Sequence, residues 1–282
     1  MKKIFLFYWA LLRETGAKWS SDNTSRLSAA LAYYTIFSLA PLLILAIAVA
    51  GLFFGNGAAR TAALDQLQTV IGSGAAGYID NLIDLAQKPS STLLASIAGI
   101  VTLLVGATST FVELQESLNI IWKAEPSQSG FKYFLHKRWL SFSLILGMGG
   151  ALLVLLTLSA VLAFMSRHLS GIIPAYFILL KWLNAIFSFS VTTLLFAAVY
   201  KILPDVKVKW KNVWMGAVIA SLLFTLGRYV IGLYLRHSSV GSLYGAAGSL
   251  VILLLWIYYS AQIMFFGAEF TEVYSRRVKQ EG

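Results

Sequence analysis

The amino-acid sequence predicts an all-α, polytopic membrane protein with six transmembrane helices and both termini on the inner side. Three observations predict it. First, 58% of the 282 residues are hydrophobic and only 12% are charged, with a mean hydropathy of +0.75. A soluble domain carries about 25% charged residues. Second, six long segments are free or nearly free of charge, at approximately 28–54, 92–122, 139–166, 175–203, 212–235 and 243–272. Each reaches the roughly 20 residues a helix needs to cross the hydrocarbon layer, and a helix satisfies its own backbone polar groups in lipid. A β-barrel needs alternating strands of about ten residues, and these runs are too long and too continuously apolar for that. Third, lysine and arginine are unevenly distributed. With the N-terminus inside, five precede the first span, four lie in each of the next two inner loops and three follow the last span, 16 of the 22. Five fall outside and Arg228 lies within a span. This is the positive-inside pattern, and it accounts for the net charge of +10 without nucleic acid. The chain, 1–282, reads as a single integral-membrane domain, because the longest inner loop, 123–138, is too small to fold alone.

The chain begins "MKKIFLFYWALLRETGAKWSSDNTS". Its apolar part, Ile4 to Leu12, is short, is followed by Arg13, Glu14 and Lys18, and lacks the small-residue pattern of a cleavage site. It reads as a retained amphipathic helix at the membrane face. The first span contains "SAALAYYTIFSLAPLL". Pro41 removes a backbone donor and bends the helix, which makes it a hinge candidate, and Thr35 and Ser38 are expected to satisfy the freed carbonyls. Tyr33 and Tyr34 fall near the inner end, where tyrosine is favoured at the interface. The outer connector, 55–91, places Leu64, Leu67 and Ile71 on one helical face and Ile79, Leu82, Ile83 and Ala86 on another, with Gly72-Ser73-Gly74 between them. Two short amphipathic helices are expected there, as a cap on the bundle or a lid.

The second span ends "TSTFVELQESLNIIW". Glu113, Glu116 and Asn119 recur at intervals of three and line one face. A carboxylate at the centre of a span costs about 2.5–3.5 kcal/mol even on a lenient scale, so these acids should face protein, water or the wet interface. The fifth span holds Arg228 in "FTLGRYVIGLY". Its guanidinium stays charged, and its partner is open between Glu113, Glu116, Glu269 and a lipid phosphate. In the sixth span, Gly241, Gly245 and Gly248 have the spacing that seats one helix against another. Trp256, Tyr258, Tyr259 and Gln262 follow, then Glu269, and Glu272 at the interface. The candidate cavity residues are thus Glu113, Glu116, Asn119, Arg228, Tyr33, Tyr34, Glu269 and Gln262. Cysteine is absent, which removes disulfides and thiolate metal sites, and no cofactor or metal is expected.

The segments "SAALAYYTIFSLAPLL", "LQESLNIIW", "LPDVKVKWKNVWMGAVIA" and "SLYGAAGSLVILLLWIYYSAQIMFFGAEF", in this order, resemble the YihY/virulence factor BrkB family. The likeness runs over nearly the whole chain. It implies a six-span helical protein of the bacterial inner membrane. It supplies no catalytic residues, and the family's former label of ribonuclease BN is regarded as a misassignment. The positions that match, Tyr33, Tyr34, Pro41, Glu116, Asn119, Pro204, Tyr244, Gly245, Gly267 and Glu269, are candidates only.

Three functions follow as expectations. The first is a membrane transporter or exporter of an amphiphilic or small polar substrate, a lipid or envelope precursor favoured, working through a polar cavity by alternating access. The bilayer, with anionic lipid as a candidate, and the substrate are then the partners. The second, a ribonuclease, is disfavoured: His136, His168 and His237 fall in three separate loops, and no HExxH, Walker A or GxSxG element is present. The third is a non-transporting envelope scaffold. Oligomeric state is not legible.

Overall fold

The computed structural model describes residues 2–71, 73–86, 93–124, 174–237 and 248–281, with positions 143, 147 and 150. The third expected span, 139–166, Gly241 and Gly245 lie outside the described residues. Every described element is an α-helix, and no strand occurs among the described residues. The helices are α1 (Lys2–Ser21), α2 (Thr24–Phe54), α3 (Asn56–Ile71), α4 (Ser73–Ala86), α5 (Leu93–Ile121), α6 (Pro174–Ile202), α7 (Trp210–His237) and α8 (Gly248–Glu281).

Four of the expected spans, now α2, α5, α6 and α7, end within about a turn of where the sequence placed them. The sixth differs more, since α8 continues past Glu272 to Glu281. Its last turns stay helical beyond the apolar run because α1 packs along them, with Leu11 fully buried against Phe270 and Val273. By length and composition, three described stretches can cross a membrane: Ala185–Ile202, Trp210–Ile231 and Leu250–Lys279. The two halves of α2 make a fourth if they count as one bent span.

That bend is 49°, between Thr24–Leu39 and Pro41–Leu52. It falls where proline removes the donor and crowds the preceding turn. Gly106 of α5 faces the ring, and a Cβ there would sit 3.1 Å from Pro41 Cγ. The two hydroxyls do not act as the sequence suggested. Thr35 donates to the Leu31 carbonyl at 2.7 Å and Ser38 lies 3.2 Å from that of Thr35, while the Ser38 and Thr110 hydroxyls bond each other across α2 and α5. Helical serine and threonine reach the carbonyls one turn behind them. The acceptor that Pro41 leaves unfilled, that of Phe37, is therefore not theirs.

Helix ends follow local chemistry. Asn23 turns the chain from α1 into α2 with φ 53°, a left-handed conformation that asparagine tolerates. Gly55, φ 82°, separates α2 from α3. α5 closes with two bonds, Ala124 N–H to the Asn119 carbonyl at 2.9 Å and Lys123 N–H to that of Ile120 at 3.1 Å. This is a Schellman cap with Lys123, φ 49°, in the position glycine usually takes.

The helices meet in two main apolar cores. One lies towards the α1 end, where Leu27 and Leu31 of α2, Leu118 of α5, Tyr200 of α6, Ala217 of α7 and Phe265 of α8 are buried together. There α7 and α8 cross so closely that a Cβ on Gly216 would meet the Gly267 carbonyl and the Thr271 side chain. A Cβ on Gly267 would meet the Tyr200 hydroxyl and Ala220. Of the glycine stripe expected to seat the sixth span, Gly248 is described and buried, but the close approaches lie further along. The second core is at the opposite end. The pair α3 and α4 places Ala59, Ile79 and Ile83 over Ile47 and Ala50 of α2 and over Leu253 and Trp256 of α8; of the two helices expected to be amphipathic, α4 is and α3 is not. Arg60 of α3 pairs with Asp80 and, at 2.7 Å, with Asp84 of α4.

Candidate functional site

The polar residues of the bundle divide into those with partners and those without. The partnered set is concentrated at the α1 end. Lys18 Nζ lies 2.6 Å from Glu272, 3.7 Å from Glu269 and 3.9 Å from Asp22. Glu269 is fully buried, and the Thr24 hydroxyl donates to its Oε1 at 3.3 Å. One turn away, Arg277 Nε donates to Glu14 at 2.8 Å and Arg276 also pairs with Glu14. Burial opposes ionisation of Glu14, but Arg277 and then Arg276 outweigh it and hold its carboxyl below the ordinary range. α1 is thus clasped to the last turns of α8 through charges on both helices. Glu269 belongs to this clasp and makes no ion pair with Arg228.

Asn119 is also partnered. Its Nδ2 donates to the Asp205 carboxylate at 2.7 Å and its Oδ1 accepts from the Asp205 N–H at 2.8 Å. Gln115 donates to the other Asp205 oxygen at 3.0 Å. Two amides on the last turns of α5 therefore anchor the loop between α6 and α7. Neither Gln115 nor Asp205 stood among the sequence candidates. Three-residue spacing on α5 marked Asn119 but could not reveal a partner beyond the next helix.

The unpartnered set lies nearer mid-bundle. Glu113 is half-buried about 12 Å from the end of α5, and Glu116 is exposed. Arg228 is half-buried on α7, next to Gly227, whose missing Cβ gives room to the Tyr259 ring of α8. None of Glu113, Glu116 and Arg228 makes an ion pair among the described residues. Gln262 Oε1, Ser117 Oγ and Ser221 Oγ are buried without a hydrogen-bond partner. The serines carry no charge to flag them within apolar runs, so sequence reasoning passed over them. Tyr33 and Tyr34 point outward, 61% and 41% exposed, and Tyr33 packs on Phe37 with ring centroids 4.9 Å apart. Trp256 is packing, with its ring 5.7 Å from Phe224 and 6.4 Å from Tyr259. The sequence candidates thus divide among the clasp (Glu269), the Asp205 anchor (Asn119), the outward face (Tyr33 and Tyr34) and an unpartnered set, Glu113, Glu116, Arg228 and Gln262, spread over α5, α7 and α8 and termed the belt. Among the described residues, no group of three or more histidines, cysteines or acids could hold a metal ion.

Comparison with known proteins supplies the family. The sequence pattern described as "Virulence factor BrkB" matches residues 15–282. The chain belongs to the BrkB family. Its relatives include a UPF0761 membrane protein of Haemophilus influenzae, 27% identical over 274 residues, covering 95% of this chain and 94% of that protein. Others come from Alcanivorax borkumensis, 27% identical over 93% of this chain and 59% of that protein, and Pseudomonas aeruginosa, 28% identical over 88% and 58%. This chain therefore spans less than two thirds of the length of the latter two. No solved structure matches. The BrkB match covers α2 to α8 and begins inside α1, so it takes in Lys18 of the clasp, the Asp205 anchor and the unpartnered belt.

Chemically the two regions of this BrkB protein offer different things. In the clasp three basic side chains meet four acids and one threonine hydroxyl, and only Glu269 Oε2 and Asp22 Oδ2, which face Lys18 at 3.7 and 3.9 Å, are buried without a hydrogen bond. The belt presents an acid, a base, an amide oxygen and two hydroxyls that the described residues leave open.

Proposed function

We propose that this protein is a multi-pass transporter of the bacterial cytoplasmic membrane, with six spans and both termini inside. Its substrate is amphiphilic or small and polar, a lipid or envelope precursor favoured, and it passes through the bundle by alternating access. The observation that carries this reading is that Glu113 and Arg228, in the middle of apolar helices, make no ion pair among the described residues. An isolated charge in hydrocarbon costs several kcal/mol, so these groups call for water or a ligand where they stand. Arg228 would hold an anionic head group, Glu113 a proton or a donor group of the cargo, and the bend at Pro41 would serve as the hinge.

The test uses the full chain in proteoliposomes, following fluorescent phosphatidylglycerol between leaflets and labelled polar solutes into the lumen. Glu113→Gln and Arg228→Ala should fold normally and lose most of the flux. Normal folding with undiminished flux overturns the assignment. Topology is checked separately by single cysteines in this cysteine-free chain, at Ser20 for the inner side and Ala58 for the outer. The outward aromatic row of Tyr33, Tyr34 and Phe37 favours a second reading, a scaffold that docks another membrane protein. Loss of a co-purifying partner on Tyr33→Ala, with no flux in the parent, would favour it.

A further inference from the structure

The loop between α6 and α7 is built to hold a basic surface in one place. Leu203 and Pro204 are buried, and Asp205 is anchored to Gln115 and Asn119 of α5. From there the chain alternates. Val206 packs against the core and Val208 is 4% exposed within it, while Lys207 and Lys209 between and after them are exposed. Lys201 of α6 donates to the Val208 carbonyl and lies 5.9 Å from the centre of the Trp210 ring. This backbone is therefore tied at Asp205 and Val208, and the lysines it presents have little freedom to move away. Lys211, in the first turn of α7, is also exposed.

An apolar stripe continues from this rim. Trp210 and Trp214 are 51% and 41% exposed, one turn apart on α7. Val218, Leu222 and Leu226 follow at four-residue intervals, and all are exposed. A row from Trp214 to Leu226 is about 18 Å long at 1.5 Å per residue, comparable to one leaflet of a hydrocarbon layer about 30 Å thick. Tryptophan favours the level of the head groups, so the order of lysines, tryptophans and aliphatic row matches the order of head group, interface and acyl chain.

We propose that this face of α7 is a binding seam for an anionic phospholipid. Lys207, Lys209 and Lys211 take the phosphate-bearing head group, Trp210 and Trp214 take the glycerol level, and the aliphatic stripe takes a chain. The seam is separate from the belt of Glu113 and Arg228 and does not depend on the transport reading.

The test reads quenching of tryptophan fluorescence by brominated-chain lipids, with the full protein in vesicles. The Trp210→Phe/Trp214→Phe variant identifies the signal from this seam. Brominated phosphatidylglycerol should quench that component more strongly than brominated phosphatidylcholine. Each lysine near an anionic surface contributes about fivefold, so Lys207→Gln/Lys209→Gln/Lys211→Gln should lower the preference on the order of 100-fold. Lys123→Gln, an exposed lysine at the end of α5, should leave it intact. Equal quenching by the two lipids in the parent overturns the proposal, as does an unchanged preference in the triple variant. An equal loss in Lys123→Gln overturns it in favour of general surface charge. Displacement by inorganic phosphate at constant ionic strength overturns it in favour of a free-anion site.

Discussion

The charged groups at the α1 end and those in the middle of the bundle are the same residue types under opposite conditions. In the clasp, Lys18 serves three carboxylates and Glu14 takes two arginines. In the belt, Glu113 and Arg228 make no ion pair among the described residues. Burial alone does not separate the two, since fully buried Glu269 is in the clasp and half-buried Glu113 is not. Compensation separates them. A buried charge with a partner holds helices together, and removing the partner is costly. A charge without one is tolerable only where water or a ligand reaches it, and it is then free to serve something outside the fold.

The largest effect that would break this comparison is at Lys18. Lys18→Ala strands buried Glu269, while Glu272 keeps Arg276 at 3.6 Å, and losing one side of a buried pair costs about 3–5 kcal/mol. Chemical denaturation in detergent should show it, and adding Glu269→Gln to Lys18→Ala should recover part of the loss. A stability change under about 0.5 kcal/mol would mean that the clasp is ornamental. Next comes Asn119→Ala, which removes two hydrogen bonds from Asp205 and should cost about 1 kcal/mol. It should also make the following loop more open to proteolysis near Lys207 and Lys209. Because Asn119 and Glu113 lie on the same helix, this pair isolates partnership from position.

How much of this was open to sequence reasoning depended on the range of each interaction. The helices of α2, α5, α6 and α7 were legible because the lipid requirement acts on every residue of a span, and so was the break between α3 and α4, where the apolar period stops near Gly72. The bend at Pro41 follows from one residue's covalent structure. The clasp was not legible. Lys18 and Glu272 are 254 residues apart, and nothing local in "RETGAKW" states that it will lie along the end of α8. The sequence offers Glu269 as a candidate anion for Arg228, whereas Lys18 comes from a helix that reads as lying at the surface. The same limit hid Asp205, which looked like a loop acid. Gly216 with Ala220 and Gly267 with Thr271 do stand at the small-residue spacing of helix contacts, but that spacing does not name the helix each one meets. The close crossing exists only between two helices.

A smaller effect concerns pH. Glu14 has its carboxyl held below its ordinary value of 4.5 by Arg277 and Arg276. A depressed carboxylate stabilises the fold fully above the unfolded value, and this is lost as pH falls through the lower folded value. The α1 attachment should therefore weaken only in acid, below about pH 4. Because this pair is partly exposed, the contribution is about 0.2–1 kcal/mol. Hydrogen exchange of α1 amides, corrected for intrinsic rates, should rise over that range in the parent. In Glu14→Gln it should already be raised at neutral pH and show no further step. A step persisting in Glu14→Gln would assign the acid response to other groups.

The smallest expected effect on stability is the most informative for function. Glu113→Gln and Arg228→Gln remove charges that satisfy nothing within the described structure. Each should change the unfolding free energy by no more than about 0.5 kcal/mol, the range of substitutions away from any partner, and removing an uncompensated charge can raise it. Asn119 and Glu113 then give opposite results from neighbouring turns of α5: one changes stability without touching flux, the other flux without stability. If Glu113→Gln instead costs as much as Lys18→Ala, Glu113 has a structural partner, the belt is a second clasp, and the polar route through the bundle must be sought elsewhere.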